Sequence, residues 1–151
     1  SNMISLERLW NFSMREIIFV GSTDYVDNSL ATAAVGMSKL LTDLGLAYTL
    51  ETATDPFFIG NYRDYAAYQS AFQLKQEVRA QVPYSGDSIA VGSYNRHRDF
   101  FGRTLNIKTS DSEYVCTGCL GFGFERLVFS FIAQHGPDPD LWPKTVERLL
   151  N

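Results

Sequence analysis

Two adjacent charges, Glu125 and Arg126, directly follow the alternating segment Gly-Phe-Gly-Phe (121–124) and precede an apolar run. Because side chains alternate across a strand, Gly121 and Gly123 are predicted to share one face that carries no side chain. Such a face lets a flat group lie against the backbone. Arg126 stands at the start of a predicted helix, where its guanidinium and the backbone N–H groups suit a phosphate. The segment therefore predicts a site for a planar group beside an anion.

A simpler interpretation of this segment is a glycine-rich strand followed by a solvent-facing Glu-Arg pair, since short glycine motifs are common by chance. Both interpretations place Phe122 and Phe124 together on the opposite, core-facing side of the strand. The residues alone leave the two interpretations open.

A carboxylate and a thiol form a second candidate site. Glu16 lies in "MREIIFVGS" (14–22), which is apolar on both faces and is therefore predicted to be a buried strand. A buried carboxylate requires a partner, such as a metal ion or an arginine. Cys119 shares the glycine face by parity, whereas Cys116 falls on the other face, so this Cys-x-x-Cys pair is not expected to chelate. Nothing in the spacing brings a histidine to the site, and a thiol that merely fills the core remains the alternative.

Polar side chains recur at alternate positions of two further predicted strands. Lys75 and Glu77 share one face, and so do Ser93 and Asn95. These faces either line a pocket or are simply solvated, and the solvated face is the simpler interpretation.

Periodicity and turn residues predict the elements that position these side chains. The predicted strands are 14–22, 46–53, 73–82, 88–95, 104–110 and 112–124. Helices are predicted from Thr23 or Asp24 to Gly45, from Arg126 to Gln134, and after Pro143, while 54–61 reads as a loop and 64–72 is ambiguous. Strands of this kind with helices before and after predict an α+β domain, with helices packed on one face of a mainly antiparallel sheet.

The bulk composition sets limits on the class of protein. With 151 residues and 45% hydrophobic content, residues 1–151 are expected to form a single domain. A net charge of −4 without a basic run argues weakly against a nucleic-acid surface. Two cysteines are too few for a disulfide scaffold, and no apolar run is long enough for a membrane span, so we expect a soluble, cytoplasmic protein with no membrane partner.

The Gly-x-Gly-x-Glu-Arg segment resembles motif 3 of class II aminoacyl-tRNA synthetases, and "SMREIIFVG" resembles the second half of their motif 2. The segment 98–108 ("RDFFGRTLNIK") is similar to the block that precedes motif 3 in seryl-tRNA synthetases. A closer similarity, to the amino acid:[carrier protein] ligases, is carried by "TDPFF", "QLKQE", "SYNRHRDFFG" and "HGPDPDLWP". The resemblance implies a class II synthetase-like catalytic domain that activates a small amino acid with ATP and Mg²⁺. It further implies transfer of the amino acid to the phosphopantetheine arm of an acyl or peptidyl carrier protein.

The resemblance also implies roles for individual residues. Arg126 would contact ATP as the catalytic arginine, with the adenine over Gly121 and Gly123, and Arg15 is the other arginine expected to help with the phosphates. Residues that match positions lining the family's amino-acid pocket are Lys75, Glu77, Ser93 and Asn95. Residues that match two of three zinc ligands are Glu16 and Cys119, and the third ligand would lie upstream of residue 1.

The resemblance begins inside motif 2, so the chain is expected to represent the C-terminal part of the domain, without motif 1 and the first strand of motif 2. An exposed sheet edge is then expected, and with it self-association. Two alternatives stay open at this point: a seryl-tRNA synthetase-like fragment, which the acidic balance disfavours as a tRNA binder, and a non-catalytic synthetase-like binding module.

Overall fold

A five-stranded antiparallel sheet with strand order β1-β5-β4-β3-β2 organises the chain. The computed structural model describes residues 9–53 and 74–150, without the side chains of residues 149 and 150. The strands are β1 (Met14–Gly21), β2 (Tyr48–Thr52), β3 (Lys75–Val82), β4 (Asp87–Arg98) and β5 (Cys116–Gly123). The helices are α1 (Thr23–Asp43), α2 (Phe100–Thr104), α3 (Phe124–His135) and α4 (Lys144–Leu150), with a 3-10 turn at Pro139–Leu141. The predicted α+β architecture is confirmed.

The first helix begins and ends where the sequence predicts. The Ser22 side chain caps α1 by accepting a hydrogen bond from the Tyr25 backbone N–H at 3.3 Å. Gly45 follows the helix with a φ of 64°, a left-handed conformation that glycine adopts without strain. The buried residues of α1 recur at helical spacing: Val26, Leu30, Met37 and Leu41.

Among the described residues, α1, α3 and α4 pack on one face of the sheet, and the opposite face is called the open face below. Residues of α1, β3, β4, β5, α3 and α4 share one hydrophobic core cluster, in which Val78 of β3 and Leu120 of β5 are buried. Gly118 of β5 permits this packing, because a Cβ there would come within 2.7 Å of a Leu30 methyl group. The open face carries the alternate residues, among them the polar side chains singled out above.

The predicted strand 104–110 is wrong. Residues Phe100–Thr104 form α2, and the following segment contributes only an isolated bridge between Lys108 and Tyr114. Gly102 of α2 packs closely on the residue before β5, since a Cβ there would lie 2.2 Å from the Val115 carbonyl oxygen. Strand β4 correspondingly runs to Arg98, and β5 begins only at Cys116.

The predicted burial of β1 is also wrong. Ile17, Ile18 and Val20 are 49%, 63% and 49% exposed, and Glu16 is exposed as well. In the described part of the chain β1 pairs only with β5, so it forms an edge of the sheet. Phe124, expected in the core, is 45% exposed because it begins α3 instead of extending β5.

Within residues 9–53 and 74–150, no helix is both long and apolar enough to cross a bilayer. The predicted loop 54–61 and the ambiguous segment 64–72 lie outside the described residues.

Candidate functional site

A row of four residues crosses the open face of the sheet where the glycine motif lies. The strand register pairs Gly121 with Glu16 of β1 and with Ser93 of β4, and pairs Ser93 with Glu77 of β3. The Glu16 side chain folds over Gly121, since a Cβ on Gly121 would lie 3.2 Å from Glu16 Cγ. The sequence predicted the glycine face and the alternating polar positions of β3 and β4 separately, and the register brings them together with Glu16.

A second row lies two residues further along the strands and consists of Ile18, Cys119, Asn95 and Lys75. The Asn95 side chain links the two rows, because its Nδ2 donates to Ser93 Oγ and to Cys119 Sγ, each at 3.2 Å. Cys119 and Asn95 are buried, with 6% and 8% exposed. Asn95 Oδ1 is buried and has no hydrogen-bond partner among the described residues.

A cavity of about 550 Å³ opens along the glycine face. Its wall includes Gly121, Gly123 and Arg126, the three residues that the sequence connected with a planar group and an anion. The other residues that line it are Leu9, Phe12, Met14, Lys75, Glu77, Ala90, Val91, Gly92, Ser93 and Glu125. A Cβ at Gly123 would meet nothing within 4 Å, so the free space over the glycines lies at Gly123 and not at Gly121.

The two charged residues of the motif, Glu125 and Arg126, make different contacts. Arg126, in the first turn of α3, donates from Nη1 to the Ala90 main-chain oxygen of β4 at 3.0 Å and lines the cavity. Both carboxylate oxygens of Glu125 accept from the Ser13 N–H, and this backbone hydrogen bond holds the pKa of Glu125 below its usual range. The motif therefore supplies a cation to the cavity and an anchor for the residue before β1.

The far side of the cavity carries a chain of charges on β3. Lys75 Nζ lies 3.3 Å from Glu77 Oε1, and Arg79 Nη1 lies 3.4 Å from Glu77 Oε2. All three side chains are less than a third exposed, so these ion pairs are screened less than surface pairs. The simpler interpretation of Lys75 and Glu77 as a solvated face is therefore wrong, because their side chains are only 17% and 18% exposed.

Arg15 lies apart from the other predicted ATP residues. It pairs with Phe122, whose side chain belongs to the face packed against the core, so parity directs Arg15 away from the glycine face. Arg15 is absent from the residues that line the cavity.

The zinc expected from the resemblance finds no fitting set of ligands. Burial raises the pKa of the Cys119 thiol, the Asn95 hydrogen bond opposes this shift, and the Glu16 carboxylate raises the pKa further. Glu16 is exposed and so needs no metal to offset burial. Across the described ranges 9–53 and 74–150, no three His, Cys, Asp or Glu side chains gather as a metal site, whereas the zinc implied by the resemblance would take three protein ligands.

His97 is a neighbour of the site that sequence reasoning missed. Its Nδ1 lies 3.1 Å from Thr117 Oγ1, its Nε2 lies 3.9 Å from Cys119 Sγ, and its ring meets Phe101 edge-on. Burial lowers the pKa of His97, which favours the neutral imidazole. The signal was present in the sequence, since His97 continues the alternate spacing of Ser93 and Asn95.

Comparison of the sequence with known proteins finds relatives among aminoacyl ligases. The chain is 36% identical over 145 residues to amino acid–[acyl-carrier-protein] ligase 2 of Bradyrhizobium diazoefficiens. The alignment covers 96% of this chain and 43% of that protein. It is 30% identical over 146 residues to the type-2 serine–tRNA ligase of Methanococcus aeolicus, covering 94% of this chain and 28% of that protein. The chain is a homologue of both kinds of ligase. It spans less than half the length of these curated relatives, and no family model matches it.

Solved structures agree on the class II synthetase-like fold. A structure of M. kandleri SerRS in complex with A. aeolicus tRNASec superposes with a TM-score of 0.77 at 23% identity, covering 91% of this chain and 28% of that one. Seryl-tRNA synthetase from Pyrococcus horikoshii, complexed with ATP, superposes with a TM-score of 0.71 at 16% identity, covering 98% of this chain and 33% of that one. At these identities the similarity concerns the fold.

Proposed function

We propose that this chain binds ATP and a small amino acid on the open face of its sheet and supports formation of an aminoacyl adenylate. The observation that carries the proposal is the convergence of Gly121, Gly123 and Arg126 on one cavity in a homologue of amino acid–[acyl-carrier-protein] ligases. The second step of the proposed function is transfer of the amino acid to the phosphopantetheine thiol of a carrier protein.

ATP fits the end of the cavity at Gly123. The adenine would lie in the free space over Gly123, beside Phe12 and Met14, and Arg126 would meet a phosphate. The N-terminus of α3 adds partial positive charge, because Gly123 caps the helix and its first N–H groups lack helical acceptors. Mg²⁺ would arrive with the triphosphate as part of the substrate.

The amino acid fits the polar part of the same cavity, beside Ser93, Lys75 and Glu77. One of its carboxylate oxygens would attack the α-phosphorus of ATP, which forms the acyl–phosphate bond and releases pyrophosphate. Arg126 would stabilise the charge that develops on the phosphate oxygens. In the second step the carrier thiolate would attack the carbonyl carbon, which forms the thioester and releases AMP.

Transfer to tRNA is the second candidate for the acceptor step, because a type-2 serine–tRNA ligase is 30% identical over 146 residues. The carrier protein is favoured by the higher identity to the carrier-protein ligase, 36% over 145 residues. The net charge of −4 also offers little electrostatic attraction to a polyanion.

The test is ATP–pyrophosphate exchange on the 151-residue chain with glycine, alanine, serine and larger amino acids, together with ATP binding by calorimetry. Exchange that requires a small amino acid is the expected result. ATP binding without exchange would contradict adenylation and favour the non-catalytic binding module. Incubation with radiolabelled amino acid and either phosphopantetheinylated carrier, unmodified carrier or tRNA then identifies the acceptor, and label is expected on the modified carrier alone.

A further inference from the structure

We propose that Arg79, which is not among the residues that line the cavity, is a positioning residue that acts on substrate binding through Glu77. The inference rests on the proposed function and concerns what holds a charged group of that site in place. Its basis is a chain of contacts that starts on the main chain of β4, passes through the Arg79 guanidinium and ends at the Glu77 carboxylate.

The Arg79 guanidinium is fixed by the neighbouring strand. Its Nε donates to Ser88 Oγ at 3.0 Å, and its Nη2 donates to the Ser88 main-chain oxygen at 2.7 Å. The pairing of β3 with β4 is irregular between Val78 and Arg79, and irregularities of this kind redirect side chains beside binding sites. Because the guanidinium is a rigid fork, these two hydrogen bonds also set the position of Nη1, which donates to Glu77 Oε2 at 3.4 Å.

The Glu77 carboxylate is held between two cations. Arg79 Nη1 lies on its Oε2 side, and Lys75 Nζ lies 3.3 Å from its Oε1. Both ion pairs are partly buried, so salt and water screen them less than pairs on the surface. With opposed partners on its two oxygens, the carboxylate keeps one orientation in the cavity wall. Removal of the guanidinium would release Oε2 and draw the carboxylate toward Lys75.

The orientation of Glu77 matters because a free amino acid brings an ammonium group into the cavity. Two carboxylates line the cavity within the described residues, and both oxygens of the other one, Glu125, accept from the Ser13 N–H. Each oxygen of Glu77 has two lone pairs, so Glu77 has room for a further donor besides its two ion pairs. Such a charge-assisted hydrogen bond depends on distance and angle, and a displaced carboxylate would make it less well.

Glu51 provides an internal comparison, because it is a second carboxylate beside the same arginine. Its Oε2 lies 3.6 Å from Arg79 Nε, its side chain is 54% exposed, and it does not line the cavity. Exposed ion pairs contribute little. Loss of the Glu51 contact is therefore expected to leave substrate binding unchanged, whereas loss of the contact between Arg79 and Glu77 is expected to weaken it.

The experiment compares wild-type protein with Arg79→Met, Arg79→Lys, Glu77→Gln and the double variant Arg79→Met/Glu77→Gln. Methionine keeps most of the aliphatic stem without the guanidinium, and lysine keeps the charge without the planar fork. The controls are Glu51→Gln and Arg103→Met, which removes an arginine that is 64% exposed and paired with Asp99. Circular dichroism melts establish that each variant is folded. Calorimetry then measures binding of ATP and of alanine, and pyrophosphate exchange gives KM for alanine and kcat.

Arg79→Met is expected to bind alanine about 10-fold more weakly, as for the loss of one hydrogen bond to a charged group, while ATP binds as in wild type. In pyrophosphate exchange, KM for alanine is expected to rise by the same factor with kcat unchanged. Arg79→Lys is expected to fall between Arg79→Met and wild type. In the double variant, Arg79→Met is expected to add nothing to the loss caused by Glu77→Gln, because a residue that acts through another is coupled to it. Both controls are expected to behave like wild type.

Equal affinity of folded Arg79→Met and wild type for alanine would overturn the inference. A loss in Arg79→Met that adds fully to that of Glu77→Gln, or an equal loss of ATP binding, would also overturn it and leave Arg79 a structural role only. A crystal structure of Arg79→Met gives a readout that needs no ligand. The Glu77 carboxylate is expected to turn toward Lys75, and an unmoved carboxylate would overturn the inference as well.

The same measurements separate the inference from the proposed function. Coupled losses of alanine binding in the Arg79 and Glu77 variants, without pyrophosphate exchange in wild type, would support the positioning role and contradict adenylation. A folded chain that binds ATP but no amino acid would overturn both.

Discussion

Glu125 binds the main chain of Ser13, since both of its carboxylate oxygens accept from the Ser13 N–H at 2.9 Å. The neighbouring Phe124 N–H donates to the Ser13 carbonyl oxygen, also at 2.9 Å. The residue before β1 is thus bound reciprocally to the first turn of α3. Glu125 therefore fixes the edge strand to the helix that carries Arg126, while Arg126 itself faces the cavity. This strand-to-helix junction with two opposite charges therefore combines an anchor for β1 with a cation on the wall of the cavity.

The first prediction concerns the pH dependence of this anchor. The Ser13 N–H holds the pKa of Glu125 below its usual range, so the folded state favours the ionised carboxylate. The stabilisation is fully present above the unfolded pKa of about 4.3 and is lost as the pH falls through the lowered pKa. Glu125→Gln is expected to lower the urea midpoint at pH 6.5. At pH 3.5 the difference in urea midpoint between Glu125→Gln and wild type is expected to be smaller. Glu113→Gln, at an exposed position, is the control, and equal midpoints of wild type and Glu125→Gln at pH 6.5 would contradict the role of the anchor.

The second prediction concerns Arg126. Arg126→Ala removes the arginine from the cavity wall, and hydrogen bonds to charged groups contribute about 1.5–3 kcal/mol, so ATP is expected to bind about 10-fold to 100-fold more weakly. Arg126→Lys keeps the charge but loses the planar fork, and an intermediate affinity is expected. Isothermal titration with ATP measures this, with the exposed Arg148→Ala as the control. Unchanged ATP affinity in folded Arg126→Ala would remove the central residue of the proposed site.

Strand parity was sufficient to predict which residues share the open face. Gly121, Gly123 and Cys119 lie on it and Cys116 on the other, because a period of two is fixed once the strand exists. Alternation along β4 also indicates that His97 lies on the same face as Ser93 and Asn95, although the register of β4 is irregular between Arg96 and Arg98. The sequence therefore predicts much of the composition of the site from local geometry alone.

Burial of β1 and the extent of the strands were not predictable in the same way. Apolar residues on both faces of 14–21 look like a central strand, but the position of a strand in the sheet depends on which strands pair with it. The segment 104–110 alternates like a strand, yet α2 extends to Thr104 and the segment then forms only one isolated bridge, between Lys108 and Tyr114. Both outcomes depend on long-range contacts that have no local signal.

The third prediction distinguishes two glycines of β5. A Cβ at Gly118 would lie 2.7 Å from Leu30 Cδ1 and 3.0 Å from the Asn95 main-chain oxygen, whereas a Cβ at Gly123 meets nothing within 4 Å. Gly118→Ala is expected to reduce the free energy of unfolding by about 1–3 kcal/mol, the usual cost of overpacking. Gly123→Ala meets no crowding and loses only the preference for glycine over alanine at the N-cap of α3, so a reduction of less than about 1 kcal/mol is expected. Urea denaturation followed by tryptophan fluorescence measures both, and equal losses would contradict the assignment of the packed and open faces.

The fourth prediction is that the chain self-associates through β1. In the described part of the chain, this strand has a neighbour on one side only, and Ile17, Ile18 and Val20 are each about half exposed or more. An unpaired edge with apolar side chains is a template for pairing with another strand, and a charge on it blocks such pairing. Sedimentation velocity is expected to give a concentration-dependent dimer for wild-type protein and a monomer for Ile18→Lys. Val35→Lys places the same charge on a residue of α1 that is 73% exposed, and it is expected to dimerise like wild type. A wild-type monomer at every concentration would contradict association through the edge, and a dimer that persists in Ile18→Lys would move the interface to another surface.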